Sequence, residues 1–316
     1  MELLIGNFNC KNSYYLIHVL EHGYSLQKNN DLKYCSYLAP IDSTHILGVS
    51  ETQKWNGINT GSIFLSTIEN DHICVEDSVS SNGLNPCHIL HDSGSIYISN
   101  YDSGNLAIFN ILNHQLKLTE NLVFSKKSKV HCSFVEGDHL FIVDAGEDKI
   151  HITRNVGTKH ILFDSVSFPT NTRPRHIIKG INDTFYLITE NNNIYTMLFN
   201  NGSFSVIDIL YIGTKTENET ASAIKLSEDK SQLFTTLRGT NLIKSFDVKK
   251  QIPSPLQTVY SEGISPRDLD ITKKSCVVCN TDSDSLSIFQ MQNGFLFHEK
   301  NIENIPSPSY VKVLKI

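Results

Sequence analysis

The sequence predicts an all-β protein, a seven-bladed β-propeller that occupies residues 1–316 as a single domain. Almost every apolar run is short, rich in β-branched or aromatic residues and bounded by Gly, Asn, Asp or Ser, which is the pattern of strands and turns. No window shows the three- and four-residue apolar spacing of an amphipathic helix. Two further observations predict a propeller. A sequence template recurs at the length of a blade, and its last copy is incomplete.

The template is a strand, a polar turn, a second strand ending in Asn, Asp or Glu, another turn and a third strand. Its copies are 42 to 50 residues apart, which is the length of a propeller blade with four antiparallel strands. The seven copies begin at Ser36, Pro86, Val130, Pro174, Ser222, Pro266 and Pro308.

The last copy contains only the segment PSYVKVLKI, and the strands that it lacks stand at the other end of the chain as ELLIGN, SYYLIHVL and GYSLQKN. We therefore expect the N-terminal strands to pair with the C-terminal strand and to close the ring, because closure protects the strand edges that two free termini would expose. Two alternatives stay open: a pair of β-sandwiches, and a six-bladed ring with an added hairpin.

Composition restricts the partners and the compartment. Lys and Arg total 27 against 33 Asp and Glu, a net charge of −6, whereas nucleic-acid-binding domains carry a basic surplus. No run of 18 apolar residues predicts a membrane helix, and seven irregularly spaced cysteines suit a reducing compartment. We expect a cytoplasmic protein, a monomer or a weak dimer, with neither a nucleic-acid nor a membrane partner.

Strand register predicts where functional side chains lie. The start of the first strand and the end of the second lie at the same end of a blade, because the two strands are antiparallel. His131 and Arg175 come one residue after a start, whereas Glu190 and Arg238 come sixteen residues after one, as does Asp102. We expect these side chains, apart from that of Asp102, to meet at one rim. Neighbouring positions add six candidates for substrate binding, namely His88, Asn100, Asp144, His176, Arg267 and Asn280.

An imidazole, a carboxylate and two guanidiniums in one pocket suit the hydrolysis or formation of a small anionic ester. Arg binds carboxylate or phosphate through two hydrogen bonds and stabilises a developing oxyanion, and Glu or His can take a proton from water. The alternative is that these polar residues only tie neighbouring blades together by hydrogen bonds.

Five segments in a fixed order resemble the seven-bladed lactonase family, which includes the propeller-type 6-phosphogluconolactonases and the fungal carboxymuconate cyclases. The segments are NPCHILHDSGSIYISNYDSGNLAIF, VHCSFVEGDHLFIVDAGEDKI, RPRHIIKGINDTFYLITE, SAIKLSEDKSQLFTTLRG and GISPRDLDITKKSCVVCNTDSDSLSIF. The resemblance implies that His131, Arg175, Glu190 and Arg238 form the catalytic group, without a metal or an organic cofactor. The chain departs from the family pattern at Ala145, Arg173, Thr189 and Leu237, where the family has Leu, Gly, Asn and Asn.

The resemblance implies a lactonase for a small anionic sugar-acid lactone, most nearly a 6-phosphogluconolactonase of carbohydrate metabolism. Two alternatives stay open: a non-enzymatic propeller that binds a protein or a sugar acid, and a cyclase that forms a lactone from a muconate. The thirteen His residues form no HxxxH or HExxH pattern. Cys276 and Cys279 lie three apart in a predicted strand and so face opposite sides. We therefore expect no metal site.

Overall fold

The computed structural model describes residues 1–8, 14–21, 23–28, 33–69, 72–157 and 159–315. In these residues the chain forms 28 β-strands and one turn of 3-10 helix at Thr281–Ser283. The strands make seven sheets of four strands each, and pairing is antiparallel wherever the register is described, as in β-strands Ser95–Asn100 and Asn105–Leu112. Within the same residues, no helix has the length and apolar character needed to cross a membrane.

We call each sheet a blade and number the blades along the chain. Blade 1 contains β1 (Glu2–Asn7), β2 (Tyr15–Val19), β3 (Tyr24–Lys28) and β28 (Pro308–Lys315). Blade 2 contains β4 (Cys35–Pro40), β5 (His45–Ser50), β6 (Ser62–Glu69) and β7 (His72–Ser80). Blade 3 contains β8 (Pro86–Asp92), β9 (Ser95–Asn100), β10 (Asn105–Leu112) and β11 (Gln115–Val123). Blade 4 contains β12 (Val130–Glu136), β13 (His139–Asp144), β14 (Lys149–Val156) and β15 (Lys159–Ser167).

The remaining three blades follow the same order. Blade 5 contains β16 (Pro174–Lys179), β17 (Thr184–Thr189), β18 (Asn193–Asn200) and β19 (Ser203–Tyr211). Blade 6 contains β20 (Thr220–Leu226), β21 (Gln232–Arg238), β22 (Leu242–Asp247) and β23 (Ser254–Tyr260). Blade 7 contains β24 (Pro266–Ile271), β25 (Ser275–Asn280), β26 (Ser285–Gln292) and β27 (Phe295–Glu303). The predicted all-β class, with seven blades of four strands, is confirmed.

Strand order in blade 1 is β28–β1–β2–β3, so the C-terminal strand pairs with the N-terminal ones as predicted. Tyr310 and Val311 of β28 are buried, and a free β1 edge would otherwise expose unpaired N–H and C=O groups. Of the residues assigned to the N-terminal strands, Ser13 and Asn29 lie outside the described part of the chain.

Two compact units divide the chain. One contains Met1–Ile5, Ile17–Leu26 and Arg175–Ile316, and the other contains Gly6–Leu16 and Gln27–Pro174. We call them the C-terminal unit and the N-terminal unit. The single-domain organisation stays a prediction.

In each unit the core lies between neighbouring blades. In the N-terminal unit, Leu47 and Ile63 of blade 2 pack with Ile96 and Phe109 of blade 3. In the C-terminal unit, Phe234 of blade 6 packs in the same way with residues of blade 7. Successive side chains of a strand point to opposite faces, and middle strands such as β9 and β25 are buried at nearly every position, so both of their faces are covered.

A β-bulge follows the first residue of the first strand in several blades. In blade 4, Val130 pairs with Asp144 and Cys132 pairs with Val143, which makes His131 the extra residue of the bulge. Cys87 in blade 3 and Arg267 in blade 7 occupy the same bulge position. A bulge re-aims the side chain of its extra residue, and it therefore sets the direction of these candidate side chains.

The expectation that the rim residue of the second strand lies sixteen residues after every start was wrong as a general rule. Pro86 pairs with Asn100, whereas Ala221 pairs with Leu237, so the two partners are separated by 14 and 16 positions. The turns between first and second strands differ in length, and the offset differs with them. Tyr101 rather than Asp102 therefore follows the second strand of blade 3 and corresponds to Glu190 and Arg238.

Candidate functional site

Three of the four predicted catalytic residues form a charged cluster in the C-terminal unit. Arg175 Nη1 lies 3.4 Å from Glu190 Oε1, and Arg238 Nη2 lies 3.8 Å from the same oxygen. Glu190 follows β17, and Arg238 is the last residue of β21, so strand ends of blades 5 and 6 bring the three together. Two guanidiniums around one carboxylate leave one positive charge in excess, which favours an anionic ligand.

Hydrogen bonds to the backbone hold this cluster in place. Arg175 is 5% exposed, and its Nε donates to the carbonyl oxygen of Ser222 at 3.1 Å. Ser222 Oγ in turn donates to the carbonyl oxygen of Arg267 at 2.7 Å. The chain of contacts crosses blades 5, 6 and 7 at their first strands. The guanidinium of Arg175 is therefore fixed before any ligand arrives, which is the condition for electrostatic preorganisation.

His131 lies in the N-terminal unit. Its imidazole is 5% exposed and meets the ring of Tyr101 edge to face, with centroids 5.6 Å apart and planes at 84°. The thiol of Cys87 donates to the carbonyl oxygen of His131 at 3.5 Å. This contact joins two bulge residues of successive blades, as the Ser222–Arg267 contact does in the other unit. That all four catalytic candidates share one pocket stays a prediction.

Tyr101, Lys129 and Arg173 are polar neighbours of His131 that the sequence analysis missed. Lys129 Nζ lies 2.9 Å from Asp102 Oδ1 and 5.4 Å from the centroid of the Tyr101 ring. Arg173 Nη2 donates to Tyr101 Oη at 3.4 Å. Correct counting of the strand ends would have found Tyr101.

Arg173 also has an unusual backbone conformation. Its φ is +51°, a region that favours glycine, and the resembled family has Gly at this position. The backbone N–H of Arg173 donates to Asp148 Oδ1 at 2.6 Å, and that of Asn171 donates to Asp148 Oδ2 at 2.9 Å. Asp148 therefore holds the turn that places a strained, cationic residue beside Tyr101.

Asp102 stabilises the position of Lys129. Burial by itself raises the pKa of the Asp102 carboxyl, but hydrogen bonds from Lys129, Gln53 and Asn85 outweigh burial and lower the pKa below its usual value. The Gln53 amide donates to Asp102 Oδ2 at 3.0 Å, and the Asn85 amide donates to the same oxygen. The carboxylate is thus ionised at neutral pH and holds the ammonium group at the edge of the Tyr101 ring.

Three predicted substrate-binding residues are wholly buried and bonded to protein. Asn100 Nδ2 donates to the carbonyl oxygen of Ser81 at 3.0 Å, and Asn280 Nδ2 donates to that of Ser261 at 3.3 Å. Asp144 Oδ1 accepts the backbone N–H groups of Lys129, Gly146 and Glu147. These contacts fit the alternative of residues that tie neighbouring blades together, and a role in binding substrate stays a prediction for them.

The other three predicted binding residues differ in exposure. His88 is 8% exposed and packs against the ring of Tyr37 at 4.9 Å, with its Nε2 3.6 Å from Cys132 Sγ. His176 and Arg267 are partly exposed. Arg267 is a bulge residue like His131, and of these three it has the position most like that of a catalytic candidate.

Among the residues that the structure describes, the groups of potential metal ligands contain none of the catalytic candidates. Two groups of ligand-type side chains occur there, His45–Glu76–His114 and Asp144–Glu147–His151. Cys276 and Cys279 are both buried in β25. Burial raises the pKa of both thiols, and a neutral thiol is a poor metal ligand and nucleophile.

Comparison with known proteins places this arrangement in a family. A 6-phosphogluconolactonase of Bacillus subtilis (strain 168) is 26% identical over 258 residues, which is 73% of this chain and 74% of that protein. A periplasmic gluconolactonase of Pseudomonas aeruginosa superposes with a TM-score of 0.87 at 19% identity, over 98% of both chains. A protein from Lactobacillus plantarum superposes with a TM-score of 0.88 at 21% identity, over 99% of both chains. The two structural matches show the fold alone.

The family model that matches the chain covers residues 15–313 and is described as "Lactonase, 7-bladed beta-propeller". It includes strands of all seven blades, from β2 to most of β28, and leaves out only β1. The predicted propeller is thereby confirmed. The chain belongs to the seven-bladed β-propeller lactonase family.

Proposed function

We propose that this protein is a hydrolase of a small anionic sugar-acid lactone, most nearly a 6-phosphogluconolactonase of carbohydrate metabolism. The observation that carries the proposal is the Arg175–Glu190–Arg238 cluster, in which two guanidiniums flank one carboxylate at 3.4 and 3.8 Å. Family membership and the Bacillus subtilis relative support the lactonase chemistry. The excess positive charge supports an anionic substrate.

In the proposed reaction Arg175 and Arg238 bind the anionic group of the substrate and polarise the lactone carbonyl. A water oxygen bonds to the carbonyl carbon, its proton passes to Glu190 or His131, and the carbonyl oxygen becomes an oxyanion that the guanidiniums stabilise. The ring C–O bond then breaks, and the leaving oxygen takes the proton from the same base. The product is the open-chain acid, with no metal or organic cofactor in the scheme.

The partial exposure of Glu190 and Arg238 fits such a role. Their side chains are 13% and 20% exposed, respectively, while Arg175 is more deeply buried at 6%. A substrate can therefore reach Glu190 and Arg238 more easily than it can reach Arg175.

The experiment compares hydrolysis of freshly generated 6-phosphogluconolactone with that of the unphosphorylated gluconolactone, each against its spontaneous rate. We expect acceleration of both and a kcat/KM at least about 10-fold higher for the phosphorylated lactone, because a guanidinium binds phosphate through two hydrogen bonds. Arg154→Ala is the control for loss of an arginine outside the cluster, and it should hydrolyse both lactones as the wild type does, since Arg154 packs over the ring of Phe163 at 3.8 Å. No acceleration of either lactone by folded protein would reject the proposal.

Lactone formation from a dicarboxylate is a second candidate, because the same two guanidiniums suit a muconate dianion as well as a phosphate. A cyclase would convert a carboxymuconate to its lactone and leave 6-phosphogluconolactone at its spontaneous rate. A protein inactive on both substrates would instead be a binding propeller.

A further inference from the structure

Three potential metal ligands, none of them a catalytic candidate, meet on the N-terminal unit. His114 Nδ1 lies 3.2 Å from Glu76 Oε2, and His45 Nε2 lies 3.9 Å from Glu76 Oε1. One ligand atom of each residue lies within 4.8 Å of the others. The side chains of His45 and Glu76 are 27% and 23% exposed, and that of His114 is 77% exposed, so solvent ions can reach the cluster.

Each of the three residues occupies a different kind of backbone position. His45 is the first residue of β5. Glu76 is the extra residue of a β-bulge in β7, since Leu65 pairs with Asp77 and Ser66 with Val75. His114 is the second residue of the turn between β10 and β11. The ligands therefore come from blades 2 and 3, which is why no local sequence pattern such as HxxxH reveals them.

Asp42 orients the imidazole of His45. Its Oδ1 accepts the backbone N–H groups of Thr44 at 2.8 Å and His45 at 2.7 Å, and its Oδ2 lies 2.8 Å from His45 Nδ1. This contact holds the Nδ1 side of the ring against Asp42 and leaves Nε2 on the side of Glu76. A carboxylate behind a ligating His is a common second layer of zinc sites.

The separations fit a tetrahedral ion. Ligands about 2.0 Å from zinc stand roughly 3.3 Å from one another in a tetrahedron. His114 Nδ1 and His45 Nε2 lie 3.2 and 3.9 Å from different oxygens of Glu76, and one ligand atom of each residue lies within 4.8 Å of the others, so small side-chain movements would bring the three to one ion. The second separation is too long for a hydrogen bond between His45 Nε2 and Glu76. Two imidazoles and one carboxylate are a known zinc ligand set, with water in the fourth position.

Corresponding positions in the neighbouring pair of blades lack this ligand set. Ser95 begins β9 as His45 begins β5, and Thr119 is the bulge residue of β11 as Glu76 is that of β7. The cluster is therefore not a by-product of the blade repeat. We propose that His45, Glu76 and His114 bind one Zn²⁺ ion that links blades 2 and 3, with Asp42 as the positioning residue of His45.

The backbone of His114 gives this proposal a sharp test. Asn113 and His114 have φ angles of +50° and +59°, which are the angles of a two-residue type I′ turn, where Asn-Gly is the favoured pair. The corresponding turns of blades 5 and 7 are Asn201–Gly202 and Asn293–Gly294. His114→Gly thus removes a ligand and at the same time introduces the residue that the turn prefers.

The test is calorimetric titration of the full-length, chelator-treated protein with ZnCl₂. We expect one ion per chain, with affinity at least about 10-fold lower in His114→Gly and in Glu76→Gln, because even residues behind the ligands contribute about that much. His91→Ala, which removes an exposed His outside the cluster, should bind as the wild type does. A wild type that takes up no zinc at about 100 µM, or a His114→Gly variant that binds as tightly, would overturn the proposal.

Thermal unfolding gives a second readout that does not depend on lactone turnover. An ion that binds only the folded state raises the Tm by mass action, so saturating ZnCl₂ should raise the Tm of the wild type but not that of His114→Gly. Without zinc, His114→Gly should melt no lower than the wild type. MgCl₂ should have no effect, because imidazole is a poor ligand for Mg²⁺, and an equal rise with MgCl₂ would contradict a site built on histidine.

Discussion

Glu190 lies between two guanidiniums, and this contact determines how the cluster can work. Arg175 is fixed by the Ser222 carbonyl and is nearly buried, whereas Arg238 is more exposed. Arg238 is therefore the residue of the pair that a substrate meets first. Its planar guanidinium presents two parallel N–H groups that match the two oxygens of a carboxylate or phosphate, a fixed geometry that an ammonium group lacks.

We predict that Arg238→Ala lowers kcat/KM for the lactone at least about 100-fold, and that Arg238→Lys recovers only part of the loss. The measurement is steady-state kinetics on both variants and on Arg154→Ala. A fall in kcat would assign Arg238 to the transition state, and a rise in KM alone would assign it to ground-state binding. Wild-type rates in Arg238→Ala would contradict either role.

Among individual residues, the sequence predicted only part of the candidate site. His131, Arg175, Glu190 and Arg238 followed from register and family resemblance, and three of them are in contact as expected. Tyr101 was missed because the turns between first and second strands vary in length. Asp144 illustrates the opposite case: nothing in the sequence shows that its carboxylate already accepts three backbone N–H groups.

Asp144, the last residue of β13, connects neighbouring elements of secondary structure. It joins the loop before β12 to the turn after β13, and its Oδ2 lies 3.2 Å from His151 Nε2 on β14. Burial by itself raises the pKa of Asp144, but the hydrogen bonds from His151, Ser128 and the backbone outweigh burial and lower the pKa below 3.8. A group with a lowered folded-state pKa stabilises the protein above its unfolded-state pKa and loses that contribution as the pH falls.

We therefore predict that Asp144→Ala lowers the free energy of unfolding by about 3 kcal/mol at neutral pH, because buried donors lose their acceptor. The difference from the wild type should narrow as the pH falls below 3.8, the ordinary value for this carboxyl. Urea unfolding at about pH 7 and about pH 3.5 measures both quantities. A difference of the same size at both pH values would contradict the role assigned to ionised Asp144.

Gly146 controls how closely the loop before β12 approaches the end of β13. A Cβ at this position would overlap the carbonyl oxygen of Lys127 and lie 2.8 Å from the backbone nitrogen of Lys129. The absence of a side chain therefore lets the loop reach Asp144 and places Lys129 beside Tyr101.

We predict that Gly146→Ala destabilises the protein by about 2 kcal/mol or more, since backbone must move to make room. Gly137→Ala is the control, because nothing lies within 4 Å of its added Cβ. This variant should lose only the stability that alanine loses at a φ of +59°, a region that favours glycine. Thermal unfolding compares the two variants. A Gly146→Ala variant that melts with the wild type would show that the close approach is not required.

For the whole molecule, the repeat was the most informative feature of the sequence. Five first strands begin at the predicted residues Pro86, Val130, Pro174, Pro266 and Pro308. β4 and β20 begin slightly earlier, at Cys35 and Thr220, where no proline marks the start. Proline fits the first residue of a strand because it has no N–H to donate to the ladder, which explains why it located four of the starts.

Closure by β28 should determine whether the chain folds. Asp268 Oδ2 and Asp270 Oδ2 accept the N–H groups of Val311 and Val313 at 3.2 and 2.8 Å, in addition to the pairing of β28 with β1. We predict that deletion of residues 308–316 yields aggregated or unfolded protein, because β1 becomes an exposed edge. Size-exclusion chromatography and circular dichroism measure this outcome. A monomeric deletion variant with the wild-type Tm would contradict it.

Under the proposed function, the chain hydrolyses an anionic lactone at the Arg175–Glu190–Arg238 cluster. The most direct test is the rate of 6-phosphogluconolactone hydrolysis by wild type and by Glu190→Gln, each above the spontaneous rate. Acceleration by the wild type that falls at least about 100-fold in a folded Glu190→Gln is the expected result. Equal rates in the two proteins, or no acceleration by the wild type, would contradict the claim.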